Sequence, residues 1–135
     1  MTRKKVKMSK NEDICTRSFK KVSGGKQRTL FGWETEKPYL RRELNPAALA
    51  ALVGCSVAEL REAIQYHHGG GFYPFVGRYR LAEAQRLLQH PDEQRYTIEG
   101  LALQCGYASR SAFYRAFKEA TGMTPAEFRR NSQKV

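Results

Sequence analysis

The chain has 135 residues, 41% of them hydrophobic, and a mean hydropathy of −0.64. That is enough for one domain with a core, and the sequence holds no run of about 18 apolar residues such as a membrane span requires. The net charge of +11 is uneven, with ten Lys or Arg against two acids in residues 1–30 (net +8) and fourteen against eleven in residues 31–135 (net +3).

Residues 1–25 are polar, basic and unpatterned up to Ser23-Gly24-Gly25, which predicts a flexible arm. Such an arm attracts nucleic acid, anionic membrane or acidic protein without distinguishing them, or simply keeps the chain soluble. Its start, Met1-Thr2-Arg3-Lys4-Lys5, has no apolar stretch behind it and does not read as a secretory signal. Lys26 to Lys37, with Leu30, Phe31 and Trp33, predicts a first helix ended by Pro38. Asn45-Pro46 is a cap followed by proline at the first helical position. The short helix that follows holds Leu49, Ala50, Leu52 and Val53 and runs out at Gly54.

Ser56-Val57-Ala58-Glu59 has the form of a capping box. The helix it opens carries Leu60, Ala63 and Ile64 at i, i+3, i+4 and ends at Gly69-Gly70-Gly71. Phe72 to His90 is a longer amphipathic helix with Phe75, Val76, Tyr79, Leu81, Ala84, Leu87 and Leu88. Pro74 falls in its first turn, where backbone N–H groups lack helical partners anyway. After Pro91-Asp92, Thr97 caps a helix with Ile98, Leu101 and Ala102 that ends at Gly106. Ser109 caps the next, whose expected core face is Phe113, Ala116, Phe117 and Ala120, closed by Gly122. Thr124-Pro125-Ala126-Glu127 is a second capping box before a last short helix. No segment keeps the strand period, so the expected class is all-α.

A repeat organises these elements. Leu49-Ala50-x-x-x-Gly54 matches Leu101-Ala102-x-x-x-Gly106. After one extra residue in the second copy, Ser56-x-x-x-Leu60 matches Ser109-x-x-x-Phe113. Short helix, glycine turn and Ser-capped second helix make a helix-turn-helix. The expected domain is 26–135, with about seven helices. It holds helix-turn-helix units at 46–67 and 98–121, a linker helix at 72–90 and a final helix at 125–131.

The stretch from Gly106-Tyr107-Ala108-Ser109-Arg110-Ser111-Ala112-Phe113 through Gly122-Met123-Thr124-Pro125-Ala126-Glu127-Phe128-Arg129 resembles the C-terminal signature of AraC/XylS-type transcription regulators. Tyr79-Arg80-Leu81-x-x-Ala84-x-x-Leu87-Leu88 is similar to that family's linker helix, and the resemblance runs from about Leu40 to Arg130. It implies two recognition helices entering successive major grooves of double-stranded DNA at a bacterial promoter, with RNA polymerase as a further partner. It implies no cofactor. Members often carry a separate ligand-binding or sensor domain, so the chain is expected to be either a stand-alone cytoplasmic, nucleoid-associated regulator or part of a longer one.

On the second recognition helix the polar face holds Arg110, Ser111, Tyr114, Arg115 and Lys118. Arg in a major groove can grip guanine O6 and N7 with two hydrogen bonds. The family pattern makes Ser111, Tyr114 and Arg115 base readers, and Ser109 and Lys118 phosphate contacts. The first copy departs from the family, since Glu62 stands where it usually has Arg. Residues 56–67 carry one Arg and two Glu (net −1), against +2 for residues 109–121. Ser56, Arg61, Glu62 and Gln65 are therefore expected to hold DNA more loosely, and the second unit to supply most specificity.

Other chemistries find little support in the sequence. Cys15, Cys55 and Cys105 show no C-x-x-C spacing. The adjacent His67 and His68, and His90, lack a Cys at finger spacing, so no metal site is expected. Gly69-Gly70-Gly71 lacks the following Lys-Ser/Thr of a phosphate cradle. A cysteine alkyl acceptor would have to be Cys15, beside basic residues but with no accompanying His or carboxylate evident, and no catalytic site is expected. A membrane-surface or protein-interaction module would explain the basic arm and leave the duplicated motif unexplained.

Overall fold

The structure is a computed structural model that describes residues 12–17, 19–20, 30–90 and 97–132. Among these are seven α-helices: α1 (Trp33–Glu36), α2 (Pro46–Val53), α3 (Val57–His68), α4 (Phe72–Gln89), α5 (Ile98–Gln104), α6 (Arg110–Thr121) and α7 (Pro125–Ser132). A 3-10 turn spans Pro38–Leu40. The strands β1 (Phe19–Lys20) and β2 (Leu30–Phe31) pair antiparallel, Phe19 opposite Phe31. The chain divides into two compact units, one of residues 1–38 and 44–75, the other of residues 39–43 and 76–135. The fold is helical, as expected.

In the first unit, α2 and α3 pack together and β1 lies against α2. The Asn45 side chain accepts from the Ala48 N–H at 2.8 Å, and Ser56 and Glu59 exchange the two bonds of a capping box at 3.1 and 3.2 Å. These caps satisfy amides that the first turn of a helix leaves without partners. Leu49, Ala50, Val53, Leu60, Ala63 and Ile64 are all buried, and the Trp33 and Phe75 rings stack at 5.2 Å.

Two expectations for this unit need correction. Of the helix foreseen over Lys26–Lys37, residues 26–29 lie outside the described residues; among the rest only Trp33–Glu36 is helical, while Leu30 and Phe31 pair as a strand. Gly32 supplies no side-chain cap, and Pro38 disfavours helical geometry at Lys37, which closes α1 at φ 48° instead. The flexible arm foreseen over residues 1–25 does not describe residues 12–17. Ile14 is completely buried, Arg17 pairs with Glu12, and Asp13 and Cys15 contact His68. One apolar residue among charges has no periodicity to betray it, yet its burial holds the segment in place. The rest of the expected arm (1–11, 18 and 21–25), apart from the strand residues 19–20, lies outside the described residues.

The second unit has a core of Ala84, Leu87, Leu88, Leu101, Ala102, Cys105, Phe113 and Phe117, with Leu40, Leu81, Ile98, Tyr107, Tyr114 and Phe128 packed around it. Thr97, Ser109 and Thr124 cap α5, α6 and α7 as expected, their side-chain oxygens accepting from Gly100, Ala112 and Glu127 amides. The α5–α6 turn is tight. Gly106 has φ +89°, and a Cβ there would stand 2.9 Å from both the Leu40 carbonyl oxygen and Arg80 Nε. Arg80 Nε donates to the Tyr39 carbonyl at 2.6 Å and its Nη2 to the Arg41 carbonyl at 2.9 Å. Arg80 thus ties residues 39–41 beneath the turn. In the equivalent α2–α3 turn, Gly54 has φ +74° and open space where a Cβ would go.

Candidate nucleic-acid interface

The rotation of α6 is fixed from its apolar side. Phe113 and Phe117 are fully buried, their rings 5.6 Å apart, with Phe128 of α7 at 5.3 Å from Phe117. Burying each ring contributes about 1.5–3 kcal/mol, so the helix has little freedom to turn. Ala116 is half-buried as the expected core face requires. Ala120 is exposed, contrary to that expectation, because the core ends at Phe117 and the last turn of α6 runs past it.

That setting leaves Arg110, Ser111, Arg115 and Lys118 exposed. Ser111, Arg115 and Lys118 fall at i, i+4, i+7 and make one stripe. Arg110 and Tyr114 make a second. The Arg110 guanidinium lies 5.0 Å from the Tyr114 ring centroid and donates to its hydroxyl at 3.3 Å. This bond, acting with the tyrosine oxygen's charge, holds the Arg110 pKa above its ordinary value. Tyr114 is half-buried against the core. Ser109 Oγ accepts from the Ala112 N–H at 3.1 Å, which leaves its hydroxyl hydrogen for an external acceptor such as a phosphate.

On α3, Ser56, Arg61, Glu62 and Gln65 are exposed. Arg61, Glu62 and Gln65 border a surface depression of about 380 Å³ with Gly70, Gly71 and Phe72. Gln65 Oε1 accepts from the Gly70 N–H at 3.1 Å, so this side chain also closes the end of its own helix. Tyr66, absent from the residues expected at this surface, is 69% exposed on α3. A tyrosine among alternating polar and apolar residues gives no sign of which side it takes.

The cysteines separate by environment. Burial pushes the Cys105 thiol up to about 12 and raises Cys55 as well. Cys15 does not stand apart from His and carboxylate groups as its sequence neighbours suggested. Its Sγ lies 3.8 Å from His68 Nε2, which is itself 2.8 Å from Asp13 Oδ1. Burial alone would raise the Asp13 carboxyl, but the His68 hydrogen bond, helped by the Cys15 amide, brings it below its ordinary value. More than fifty residues separate the partners, so no spacing rule reveals the group.

Paired short helices, each with a glycine turn and a capped second helix whose outer face is polar, define a helix-turn-helix domain of the DNA-binding class. The family profile described as "Helix-turn-helix domain" matches residues 49–131. The chain belongs to the helix-turn-helix family of AraC/XylS type. It is 33% identical over 91 residues to an uncharacterised HTH-type transcriptional regulator of Staphylococcus aureus (strain COL), a match covering 67% of this chain and 12% of that protein. It is 35% identical over 81 residues to the HTH-type transcriptional activator RhaR of Escherichia coli O1:K1 / APEC, covering 59% of this chain and 28% of RhaR. The chain thus spans only a small part of the curated relatives it matches.

Among solved structures, it is similar to the C-terminal domain of AraT, a response regulator from Geobacillus stearothermophilus. The TM-score there is 0.63 at 26% identity, covering 71% of this chain and 77% of that one. The DNA-binding domain of AdpA, solved in complex with a target DNA, shares the fold at TM-score 0.63 and 24% identity, covering 73% and 85%. The relatives are described as transcription regulators, not enzymes. Among the described residues, no helix is long and apolar enough to cross a membrane.

Proposed function

We propose that the chain is a sequence-specific, double-stranded-DNA-binding transcription regulator whose recognition helices, α3 and α6, enter successive major grooves, with α6 supplying most of the specificity. The observation that carries this reading is the face of α6. Ser111, Arg115 and Lys118 form an exposed stripe on a helix locked by Phe113 and Phe117, and a rigid element makes base recognition precise. Arg115 and Ser111 read base edges, and Lys118 and Ser109 hold phosphates. Tyr114 takes a supporting part in addition to any base contact, because its hydroxyl steadies Arg110. Arg61, Glu62 and Gln65 of α3 give a weaker hold, with Gln65 partly committed to the Gly70 amide.

The AraC/XylS-type kinship extends the proposal to promoter activation through RNA polymerase, in the cytoplasm. It also allows for a sensor domain in a longer parent protein. The test is selection of bound sequences from random DNA, repeated with Arg115→Ala. The variant is expected to lose about 1–3 kcal/mol on the wild-type site and to relax choice at one or two base pairs while keeping its fold. Unchanged base preference would remove Arg115 from the reading surface.

A further inference from the structure

We propose that Asp13, Cys15 and His68 form a binding site for a divalent transition-metal ion of the zinc class, fastening the segment before β1 to the last turn of α3. The three ligand atoms lie within 4.8 Å of one another. Cys15 Sγ is 3.8 Å and Asp13 Oδ1 2.8 Å from the same imidazole nitrogen, His68 Nε2. Tetrahedral zinc, with Zn–S of about 2.3 Å and Zn–N and Zn–O of about 2.0–2.2 Å, needs ligand atoms some 3–4 Å apart. The 3.8 Å Sγ–Nε2 separation already suits a shared ion, and the 2.8 Å Oδ1–Nε2 contact would open by about 0.5 Å to admit one.

Convergence on one nitrogen separates this cluster from a nucleophilic triad. A Cys-His-Asp relay needs the thiol on one ring nitrogen and the carboxylate on the other. Here both face Nε2, the arrangement of ligands around a shared centre. The donors are a thiolate, an imidazole and a carboxylate, a set that favours zinc, cobalt or nickel over magnesium or calcium. On binding, the Cys15 thiol releases its proton to solvent, and His68 coordinates through the Nε2 lone pair as the neutral ring with its single proton on Nδ1. A proton shared between Nε2 and Asp13 therefore moves to Nδ1 or is released to solvent as well. Thiolate and carboxylate together then neutralise the ion's two charges.

The surroundings favour a cation. His68 occupies the last turn of a twelve-residue helix, where the backbone dipole is negative. Phe75 packs on the His68 ring at 4.6 Å and limits its movement. Nearby, His67 Nε2 is buried without a hydrogen-bond partner among the described residues. Three protein ligands leave a fourth position for water. The ion's structural effect would be to hold the segment that carries the buried Ile14 to the end of the helix proposed as the first DNA reader.

The test uses the full chain, stripped with chelator under reducing conditions and titrated with Co(II). A thiolate-to-cobalt charge-transfer band saturating at one equivalent is expected, and Zn(II) should abolish it. The band should be lost in Cys15→Ser and His68→Gln and kept in Cys55→Ser. Asp13→Asn should weaken binding by more than the roughly tenfold that changes beyond the ligands themselves cost. No band in the wild-type chain, or a band that survives Cys15→Ser, overturns the site. If circular dichroism shows that a variant has lost its fold, alkylation of the wild-type chain decides. Zn(II) should protect the Cys15 peptide from alkylation, and an unchanged rate refutes the proposal.

Discussion

Gly54 and Gly106 occupy the same place in the two copies of one motif, yet the structure assigns them different costs on substitution. Both have positive φ, +74° and +89°, where an L-residue loses about 1–2 kcal/mol. Alanine also restricts the unfolded chain, which returns about 0.4–1 kcal/mol at sites it can tolerate. Gly54→Ala meets nothing within 4 Å and should cost about 1 kcal/mol. At Gly106 the new Cβ would sit 2.9 Å from the Leu40 carbonyl oxygen, a backbone atom, and from Arg80 Nε, itself bonded to Tyr39. Overpacking of that kind adds about 1–3 kcal/mol, so Gly106→Ala should cost about 2–4 kcal/mol. Urea unfolding measures both: the far-UV signal reports all helices, and Trp33, the chain's only tryptophan, reports the first unit. Equal losses in the two variants would mean that the crowding around Gly106, the feature that distinguishes the two sites, carries no cost.

Phe117→Ala removes a fully buried ring and should lower stability by about 3–5 kcal/mol in denaturant titration; a loss below about 1 kcal/mol would mean that α6 is not anchored there. Glu62→Arg takes an exposed acid off the proposed first reading helix and should tighten binding to selected and random DNA alike, with a steeper salt dependence. Weaker binding to the selected site alone would make Glu62 a base reader, most simply of a cytosine amino group. Deleting residues 1–11, which hold five Lys or Arg, should weaken binding to all sequences equally. The log–log salt slope should fall by about 0.9 for each phosphate that this segment neutralises. A changed sequence preference at constant slope would show that the segment reads bases.

Much of the fold was legible because its signals are local. A cap such as Ser109 or Asn45 acts on an amide three residues away, and the apolar spacing of Phe113 and Phe117 follows from one helical period. The repeat of Leu-Ala and Gly then identified the two units. What escaped depends on distant partners. Ile14 is a single apolar residue among charges, and its burial against the first unit has no periodic mark. Leu30 and Phe31 suit helix or strand equally, and their pairing with β1 decides between them. Ala120 keeps helical register with Phe113 but lies beyond the end of the core. In the proposed interface, the exposed residues of α6 could be chosen from the sequence. The bond from Arg110 to Tyr114, the hold of Gln65 on Gly70 and the meeting of Asp13 and Cys15 with His68 could not.

Whether α3 and α6 read successive major grooves can be seen by hydroxyl-radical footprinting of the full chain on its selected DNA. Protection is expected on one face of the duplex in two blocks about 10–10.5 base pairs apart, centre to centre. Arg115→Ala should weaken only the block assigned to α6. A single block, or protection of random DNA to the same extent at the same protein concentration, would contradict sequence-specific reading by two helices.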